Sequence, residues 1–132
     1  MLTDPIADFL TRIRNASIAR LRVVNSPHSN MRFEIAEILK KEGYLSQVSV
    51  DTLPTNHKQL SVSLSYDGAN LPKISHIRRI SKPGQRVYVD KTAIPRPQRG
   101  LGCVILSTSS GVVTGKEAFK RGLGGEVICE LW

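Results

Sequence analysis

Two stretches of sequence decide the fold of this chain: Ser-Thr-Ser-Ser-Gly at residues 107–111, and Gly-Gly-Glu-Val-Ile-Cys-Glu-Leu-Trp at residues 124–132. Apolar residues 102–106 precede the first stretch, and alternation in the second places Val127, Cys129 and Leu131 on one face. Both patterns predict β-strands. Residues 114–121 between them predict a short helix that Gly122 ends.

The hydroxyl residues and the Gly-Gly step are expected to lie side by side at one edge of the sheet, because the two strands bracket a short helix. That edge is small, neutral and rich in groups that donate and accept hydrogen bonds. Such a surface suits close contact with a backbone that carries hydroxyls and phosphates. The alternative is a strand end capped by its own side chains.

The composition indicates a soluble fold of one domain or two small ones. The chain has 132 residues, of which 40% are hydrophobic, and no apolar run approaches the roughly 20 residues of a membrane span. Asp4 and Asp8 interrupt the start, so we expect no signal peptide. Cys103 and Cys129 each lie in an apolar strand pattern, which predicts buried core residues and a reducing compartment.

Positive charge is concentrated in one part of the sequence, residues 72–99, which we call the basic window. The net charge is +8, and the basic window holds eight basic residues and one acid. Charge of one sign concentrated in this way indicates a polyanionic partner; the alternative is a solvated basic loop. Aromatic residues make up 5% of the chain, too few for a base-stacking platform, which favours a reader of structured RNA by its shape.

The periodicity of apolar residues predicts an α+β protein of two closely packed subdomains. Residues 1–66 predict a helix–strand–helix–strand–strand unit, whose first helix begins after the capping residue Asp4. Residues 67–132 predict a mostly β unit with one short helix. In that unit, strands are predicted at residues 73–80 and 86–89, and an extended segment at residues 95–97.

The patterns that mark an enzyme are absent from the sequence. Residues 111–116 resemble a phosphate-binding loop, but it is one residue short, and Glu117 stands where Ser or Thr would hold magnesium. An enzyme that used Ser107 or Ser109 as a nucleophile would lack a recognisable base. Glu126 and Glu130 are expected to accept hydrogen bonds or to face solvent. We predict no catalytic residue, no cofactor and no metal site.

Motifs in three parts of the chain resemble those of one family. They are Thr-Asp-Pro-Ile-Ala-Asp at residues 3–8 with Leu-Thr-Arg-Ile-Arg-Asn-Ala at 10–16, Ser-Lys-Pro-Gly at 81–84 with Arg-Val-Tyr at 86–88, and Ile-Leu-Ser-Thr-Ser at 105–109 with Gly-Gly-Glu at 124–126. They are similar to the signatures of the eighth protein of the small ribosomal subunit. The match follows the order of the whole chain.

The resemblance implies a structural protein that binds ribosomal RNA as a primary binder, recognises an irregular helix in the central domain of small-subunit RNA, and aids subunit assembly. In that family the C-terminal subdomain makes the specific contacts and the N-terminal one braces the RNA backbone. The residues implied at the RNA core are Ser107, Thr108, Ser109, Ser110, Tyr88, Gly124, Gly125 and Glu126, with Arg86 beside Tyr88. The residues implied along the RNA backbone are Thr3, Asp4, Arg14, Asn15 and Arg32.

The implied partners are small-subunit ribosomal RNA and neighbouring small-subunit proteins, with no membrane and no small-molecule substrate. The implied location is the ribosome, in a bacterial cytoplasm or in a plastid stroma for a plastid-encoded copy. Some members also repress translation of their own operon by binding a messenger that mimics the ribosomal site, which is a further expectation here.

Two positions depart from the family pattern. Many relatives carry Lys at the position of Ser110, and Lys-x-Lys where this chain has Asn-Met-Arg at residues 30–32. Two cations are therefore missing from the expected phosphate contacts.

The alternative class is a DNA-bending or general nucleic-acid protein. Against it stand the lack of a helix-turn-helix pattern, the lack of an apolar wedge on a basic ribbon, and the neutral C-terminal edge.

Overall fold

The computed structural model describes residues 4–132, and in that part of the chain helices and antiparallel strands alternate. In chain order the elements are α1 (Pro5–Ile18), β1 (Val23–Pro27), α2 (Asn30–Lys41), β2 (Leu45–Thr52), β3 (Lys58–Leu64), β4 (Ile77–Arg79), β5 (Tyr88–Val89), a 3₁₀ turn (Pro97–Gly100), β6 (Cys103–Thr108), β7 (Gly111–Thr114), α3 (Gly115–Arg121) and β8 (Gly125–Leu131). The predicted α+β class and the predicted order of helices and strands are confirmed.

The chain divides into two compact units. One is Asp8–Ser75, and the other joins residues 4–7 to His76–Trp132. We call them the N-terminal and the C-terminal unit. The boundary that turn signals suggested between residues 66 and 67 stays a prediction.

Helix α1 begins and ends with local signals. Asp4 precedes Pro5, and its carboxylate accepts the Ala7 N–H at 3.2 Å, as predicted for a capping residue. At the other end Arg20 has φ +58°, and the N–H groups of Arg20 and Leu21 bond back to α1 carbonyls, which closes the helix. The buried stripe of the helix is Phe9, Leu10, Ile13, Ala16 and Ser17.

The N-terminal unit builds its core from α2 and a three-stranded sheet. The Ser29 hydroxyl accepts the Arg32 N–H at 3.2 Å and starts α2, whose residues Ile35, Ala36 and Leu39 are buried. The sheet has the strand order β1-β3-β2, with antiparallel pairing throughout. Burial alternates along β3, so Leu60, Val62 and Leu64 face the core.

The C-terminal unit is organised around β8. This strand pairs with β6 along one side, and with β4 and β5 along the other, while β7 pairs with β6. Helix α3 begins at the Thr114 cap and ends at Gly122, whose φ of +71° suits glycine. Its residue Ala118 packs in a core with Val104, Leu106 and Val127.

Four local predictions in the C-terminal unit need correction. The strand predicted at residues 73–80 is limited to Ile77–Arg79, and the one at residues 86–89 to Tyr88–Val89, where the pairing with β8 is regular. Gly111–Thr114 is a strand that the sequence pattern did not predict. Pro97 begins a tight turn rather than lying in an extended segment, with positive φ at the two residues that follow it.

Both cysteines lie in the core, as predicted: Cys103 is 8% exposed and Cys129 is fully buried. Burial, and then the neighbouring Cys103, raises the pKa of the Cys129 thiol to about 12. Because the thiolate is the reactive form, Cys129 should be inert at neutral pH.

Cys129→Ser should lower the free energy of unfolding by about 1–3 kcal/mol, because it places a hydroxyl in an apolar site. Urea unfolding measures this change, and thiol alkylation of the native protein provides the accompanying check. Rapid alkylation of Cys129 in the folded protein would contradict its placement in the core.

Candidate nucleic-acid interface

The candidate interface of the C-terminal unit begins with a row of residues across the sheet. Glu126 on β8 lies opposite Tyr88 on β5 and opposite Ser107 on β6, and Ser107 lies opposite Val112 on β7. Residues directly opposite on neighbouring antiparallel strands share a face. Tyr88 is 70% exposed, so the row presents an aromatic ring, a carboxylate and a hydroxyl together.

Residues 107–110, which we call the hydroxyl loop, comprise the last two residues of β6 and the two-residue turn that joins β6 to β7. The Thr108 hydroxyl donates to the Gly111 carbonyl at 2.8 Å and accepts the Ser110 N–H at 3.1 Å. Gly111 follows at φ +102°, a conformation that favours glycine. Thr108 is therefore used to close the turn, as the capped-strand alternative expects. Within residues 4–132, by contrast, the Ser107 and Ser109 side chains make no hydrogen bond, so both hydroxyls are available to a ligand.

The Gly-Gly step lies beside the hydroxyl loop because the backbones meet there without room for side chains. A Cβ on Gly125 would overlap the carbonyl oxygen of Ser107, and one on Gly124 would lie 2.5 Å from the carbonyl oxygen of Val89. The start of β8 is thus pressed between β5 and β6. Strand packing therefore requires glycine at both positions, independently of any contact with a ligand.

Glu126 is held in place by two partners within the C-terminal unit. Its Oε2 accepts the Ser81 hydroxyl at 2.5 Å and the Arg86 guanidinium at 3.0 Å. Ser81 is fully buried, and its hydroxyl also accepts the Val87 N–H at 3.2 Å. Ser81 opens the Ser-Lys-Pro-Gly motif, but it was not predicted as a site residue, since its partner lies 45 residues away.

The environment of Glu126 favours its charged form. Burial, the largest influence, raises the pKa of this carboxyl, but hydrogen bonds from Ser81 and Arg86 outweigh it and hold the pKa below the ordinary 4.5. A carboxylate whose pKa is depressed by folding stabilises the protein above its unfolded pKa, and this contribution is lost as pH falls through the folded value.

Glu126→Gln should therefore flatten the dependence of stability on pH below 4.5, while its effect at neutral pH reports the lost ion pair. Unfolding free energies from urea titrations at successively lower pH measure the slope. If the unfolding free energy of the variant fell with decreasing pH as steeply as that of the wild type, this carboxylate would not contribute to acid unfolding.

The cations of the basic window differ in their exposure. The Arg79 side chain is only 8% exposed, pairs with Asp4 at 3.1 Å and donates to the Ile128 carbonyl at 2.8 Å, so it is a structural cation. Arg96 lies over the Phe119 ring at 5.3 Å from the ring centre. The exposed cations of the window within the C-terminal unit are Arg78, Lys82, Arg86, Lys91, Arg96 and Arg99.

The predicted backbone-contacting residues belong to different units. Arg14, Asn15 and Arg32 belong to the N-terminal unit, whereas Asp4 belongs to the C-terminal unit, where its carboxylate is engaged with Ala7 and Arg79. Asn15 is exposed, and an Arg32 Nη atom donates to the Pro27 carbonyl at 2.6 Å. Thr3 lies outside the described residues.

Residues 4–132 contain neither a cluster of metal ligands nor a membrane-spanning helix. No group of three or more His, Cys, Asp or Glu side chains in that range is arranged to hold a metal ion. None of its helices has the length and apolarity needed to cross a membrane.

A small basic α+β protein whose sheet edge combines unpaired hydroxyls with exposed cations is typical of the class that binds nucleic acid. A family model described as "Ribosomal protein S8" matches residues 4–132. Three relatives, each described as "Small ribosomal subunit protein uS8", support the match over nearly the full length of both chains. The protein of Nitratidesulfovibrio vulgaris (strain Miyazaki F) is 52% identical, with 100% of each chain covered. Those of Halothermothrix orenii and Chloroflexus aurantiacus are 49% and 47% identical, each with 99% of this chain and 98% of the relative covered.

The chain therefore belongs to the ribosomal protein S8 family of the small ribosomal subunit. Binding of ribosomal RNA and a part in translation follow from this membership. The family is one of ribosomal structural proteins, which is not an enzyme class.

Proposed function

We propose that this protein binds an irregular helix in the central domain of small-subunit ribosomal RNA and so aids assembly of the subunit. The C-terminal unit makes the specific contacts, through the row of Tyr88, Glu126 and Ser107 and through the hydroxyl loop. The single observation that carries this proposal is the pair of unbonded hydroxyls on Ser107 and Ser109, beside a Glu126 carboxylate that is fixed by Ser81 and Arg86.

The geometry suits RNA because it offers several kinds of group at one place. Free hydroxyls donate and accept, and so match ribose 2′-OH groups and base edges in an irregular helix. Tyr88 offers an exposed ring on which a base or ribose can pack. The glycines at residues 124–125 keep the surface low, so that a nucleic-acid backbone can approach it closely.

In this proposal, the residues that contact phosphate differ from those that recognise the particular RNA helix. The Glu126 carboxylate would repel phosphate, but it is neutralised by Arg86 and bonded to Ser81, so it serves to fix the orientation of Arg86. The remaining exposed cations of the basic window supply phosphate contacts that do not depend on sequence. The residues Asp4, Arg14, Asn15 and Arg32 remain proposed contacts along the RNA backbone, and the same is proposed for Thr3.

Replacing Ser107 and Ser109 together by Ala should lower the affinity for a fragment of small-subunit RNA that carries the central-domain helix by about 1–3 kcal/mol, the scale of one or two lost hydrogen bonds. The melting temperature should be nearly unchanged, because neither hydroxyl is bonded within residues 4–132. The dependence of affinity on salt should also stay as it was, since neutral groups release no counterions. Fluorescence titrations at several salt concentrations measure affinity and slope together.

Two matched variants complete this test. Ser49→Ala with Ser75→Ala removes two exposed hydroxyls of the N-terminal unit and should leave affinity unchanged. Arg96→Gln should instead weaken binding and lower the log–log salt slope by about 0.7–0.9. Full affinity in a folded Ser107/Ser109 double variant would exclude the hydroxyl loop as the recognition surface. Equal competition by duplex DNA would favour the general nucleic-acid protein instead.

The proposed location is the ribosome of a bacterial cytoplasm, since the relatives named above come from bacteria. Neighbouring proteins of the small subunit are proposed as further partners. Repression of its own messenger would use the same surface, because a messenger that mimics the ribosomal helix offers the same groups. A messenger-binding assay with the Ser107/Ser109 variant tests this role.

A further inference from the structure

A buried serine lies behind the candidate interface of the C-terminal unit and makes none of the proposed contacts. Ser81 is fully buried, so RNA cannot contact its side chain. Its hydroxyl donates to Glu126 Oε2 at 2.5 Å and accepts the Val87 N–H at 3.2 Å. A serine hydroxyl has a single proton to donate, and here Glu126 receives it.

The backbone around Ser81 fixes the position of this hydroxyl. The Ser81 N–H donates to the Val127 carbonyl at 3.0 Å, and the Val127 N–H donates to the Val87 carbonyl at 2.9 Å. Between these two points the chain makes a tight turn, which is closed by two bonds between Lys82 and Gln85 at 2.9 and 3.0 Å. Strand β8 therefore holds both ends of the segment that carries the hydroxyl.

Glu126 receives its two partners on one oxygen. The Ser81 hydroxyl and Arg86 Nη1 both donate to Oε2, and within residues 4–132 Oε1 makes no hydrogen bond. The Arg86 side chain is 48% exposed, and an exposed pair holds its members loosely because ordering long side chains costs entropy. The buried hydroxyl is thus the partner that fixes the carboxylate.

We propose that Ser81 is a positioning residue for RNA binding: its hydroxyl orients Glu126, and Glu126 in turn orients the Arg86 guanidinium toward RNA. The inference deepens the proposed function and rests on it. A guanidinium that is already oriented loses less side-chain entropy on binding, and its planar fork can donate two hydrogen bonds to one acceptor group. Without the Ser81 hydroxyl, the pair would have to be ordered when RNA binds, so affinity would fall although no contact is lost.

Ser81→Ala should weaken binding of the RNA fragment that carries the central-domain helix by about three- to tenfold, the cost of ordering one long side chain. Ser17→Ala is the matched control, because Ser17 is a buried serine of the N-terminal unit whose hydroxyl donates to the Ile74 carbonyl at 3.2 Å. It removes a comparable bond and should change affinity by less than about twofold. Fluorescence titration measures affinity, and urea unfolding verifies that both variants are folded.

A double-mutant cycle tests whether Ser81 acts through Glu126. In a Glu126→Ala background the hydroxyl has no carboxylate to hold, so adding Ser81→Ala should change affinity by less than about twofold. An equal loss in both backgrounds would overturn the proposal, since Ser81 would then act through Val87 or through the fold in general. Unchanged affinity of the folded Ser81→Ala protein would overturn it as well. Ser81→Cys keeps the shape of the side chain with a weaker donor, and it replaces Ser81→Ala in the cycle if that variant fails to fold.

An NMR pH titration of the Glu126 carboxyl carbon gives a second readout in the protein without RNA. In Ser81→Ala the midpoint should move to higher pH, because the Ser81 bond is one of those that lower the pKa of this carboxyl. The cations that face Glu126 are Arg86 and, from β4, Arg79, and both remain in the variant. An unmoved midpoint would show that the hydroxyl does not hold the carboxylate and would overturn the proposal.

The proposed function is judged by a separate variant, so the two can fail independently. The Ser107/Ser109 double variant keeps Ser81 and Glu126 intact, and its affinity decides whether the hydroxyl loop recognises RNA. Loss of affinity there, together with full affinity in Ser81→Ala, would overturn only the positioning role.

Discussion

Gly125→Ala is expected to lower the free energy of unfolding by about 3 kcal/mol and the melting temperature by roughly 10 °C. A methyl group at this position would overlap the carbonyl oxygen of Ser107 and would also come within 3.1 Å of Thr108 Cγ2. The overlapped atom is backbone in a paired strand, so it cannot move aside as a flexible side chain would. The start of β8 would have to separate from β6. Urea and thermal unfolding measure the loss.

Gly68→Ala provides the matched control for this steric effect. A Cβ on Gly68 meets nothing within 4 Å, so the substitution should change stability by about 0.5 kcal/mol or less. Any remaining folded Gly125→Ala protein should also bind RNA poorly, because the row that contains Ser107 and Glu126 is then disturbed. A Gly125→Ala protein as stable as wild type would mean that β6 and β8 do not approach each other as described.

Asp4→Asn is expected to lower the free energy of unfolding by about 2–3 kcal/mol. It removes the charge that faces Arg79, whose side chain is only 8% exposed, and so leaves a buried guanidinium with the Ile128 carbonyl as its remaining described partner. Asparagine still caps helices, so the bond to the Ala7 N–H is retained and the loss reports the ion pair. Asp4→Ala should cost about 1 kcal/mol more, because it also removes the cap.

The control is an aspartate of the same helix in an exposed pair. Asp8 pairs with Arg12 at 2.9 Å, but both side chains are about half exposed, so Asp8→Asn should cost about 0.5 kcal/mol or less. Chemical unfolding of the three variants side by side makes the comparison. Equal losses for Asp4→Asn and Asp8→Asn would show that burial of Arg79 does not strengthen its ion pair.

Helix boundaries could be predicted because their signals are local. Asp4 with Pro5 starts α1 and Gly122 ends α3, each through bonds to residues within one turn. The short strands of the C-terminal unit were less predictable. Residues 77–79 and 88–89 are strands only because β8 offers them pairing positions, and no local preference sets those limits.

The candidate site was predictable in part. The adjacency of the hydroxyl loop and the Gly-Gly step was predicted from two strands that bracket a helix, and the pairing of Ser107 with Glu126 confirms it. The sequence could not predict which of these hydroxyls are bonded within the protein. The Thr108 hydroxyl closes the turn, whereas the hydroxyls of Ser107 and Ser109 make no hydrogen bond within residues 4–132. Their contact with RNA stays a prediction.

The sequence by itself determined the class of fold, the order and caps of the helices and the family, because these depend on periodicity, on local hydrogen bonds and on motifs that can be read in order. Only the tertiary structure decided which polar groups are paired. Arg79 is a structural cation because folding buries it beside Asp4, and Glu126 is fixed by Ser81 from a distant loop. Such contacts link residues far apart in the chain, and the position of one residue carries no signal of its partner until the sheets have formed.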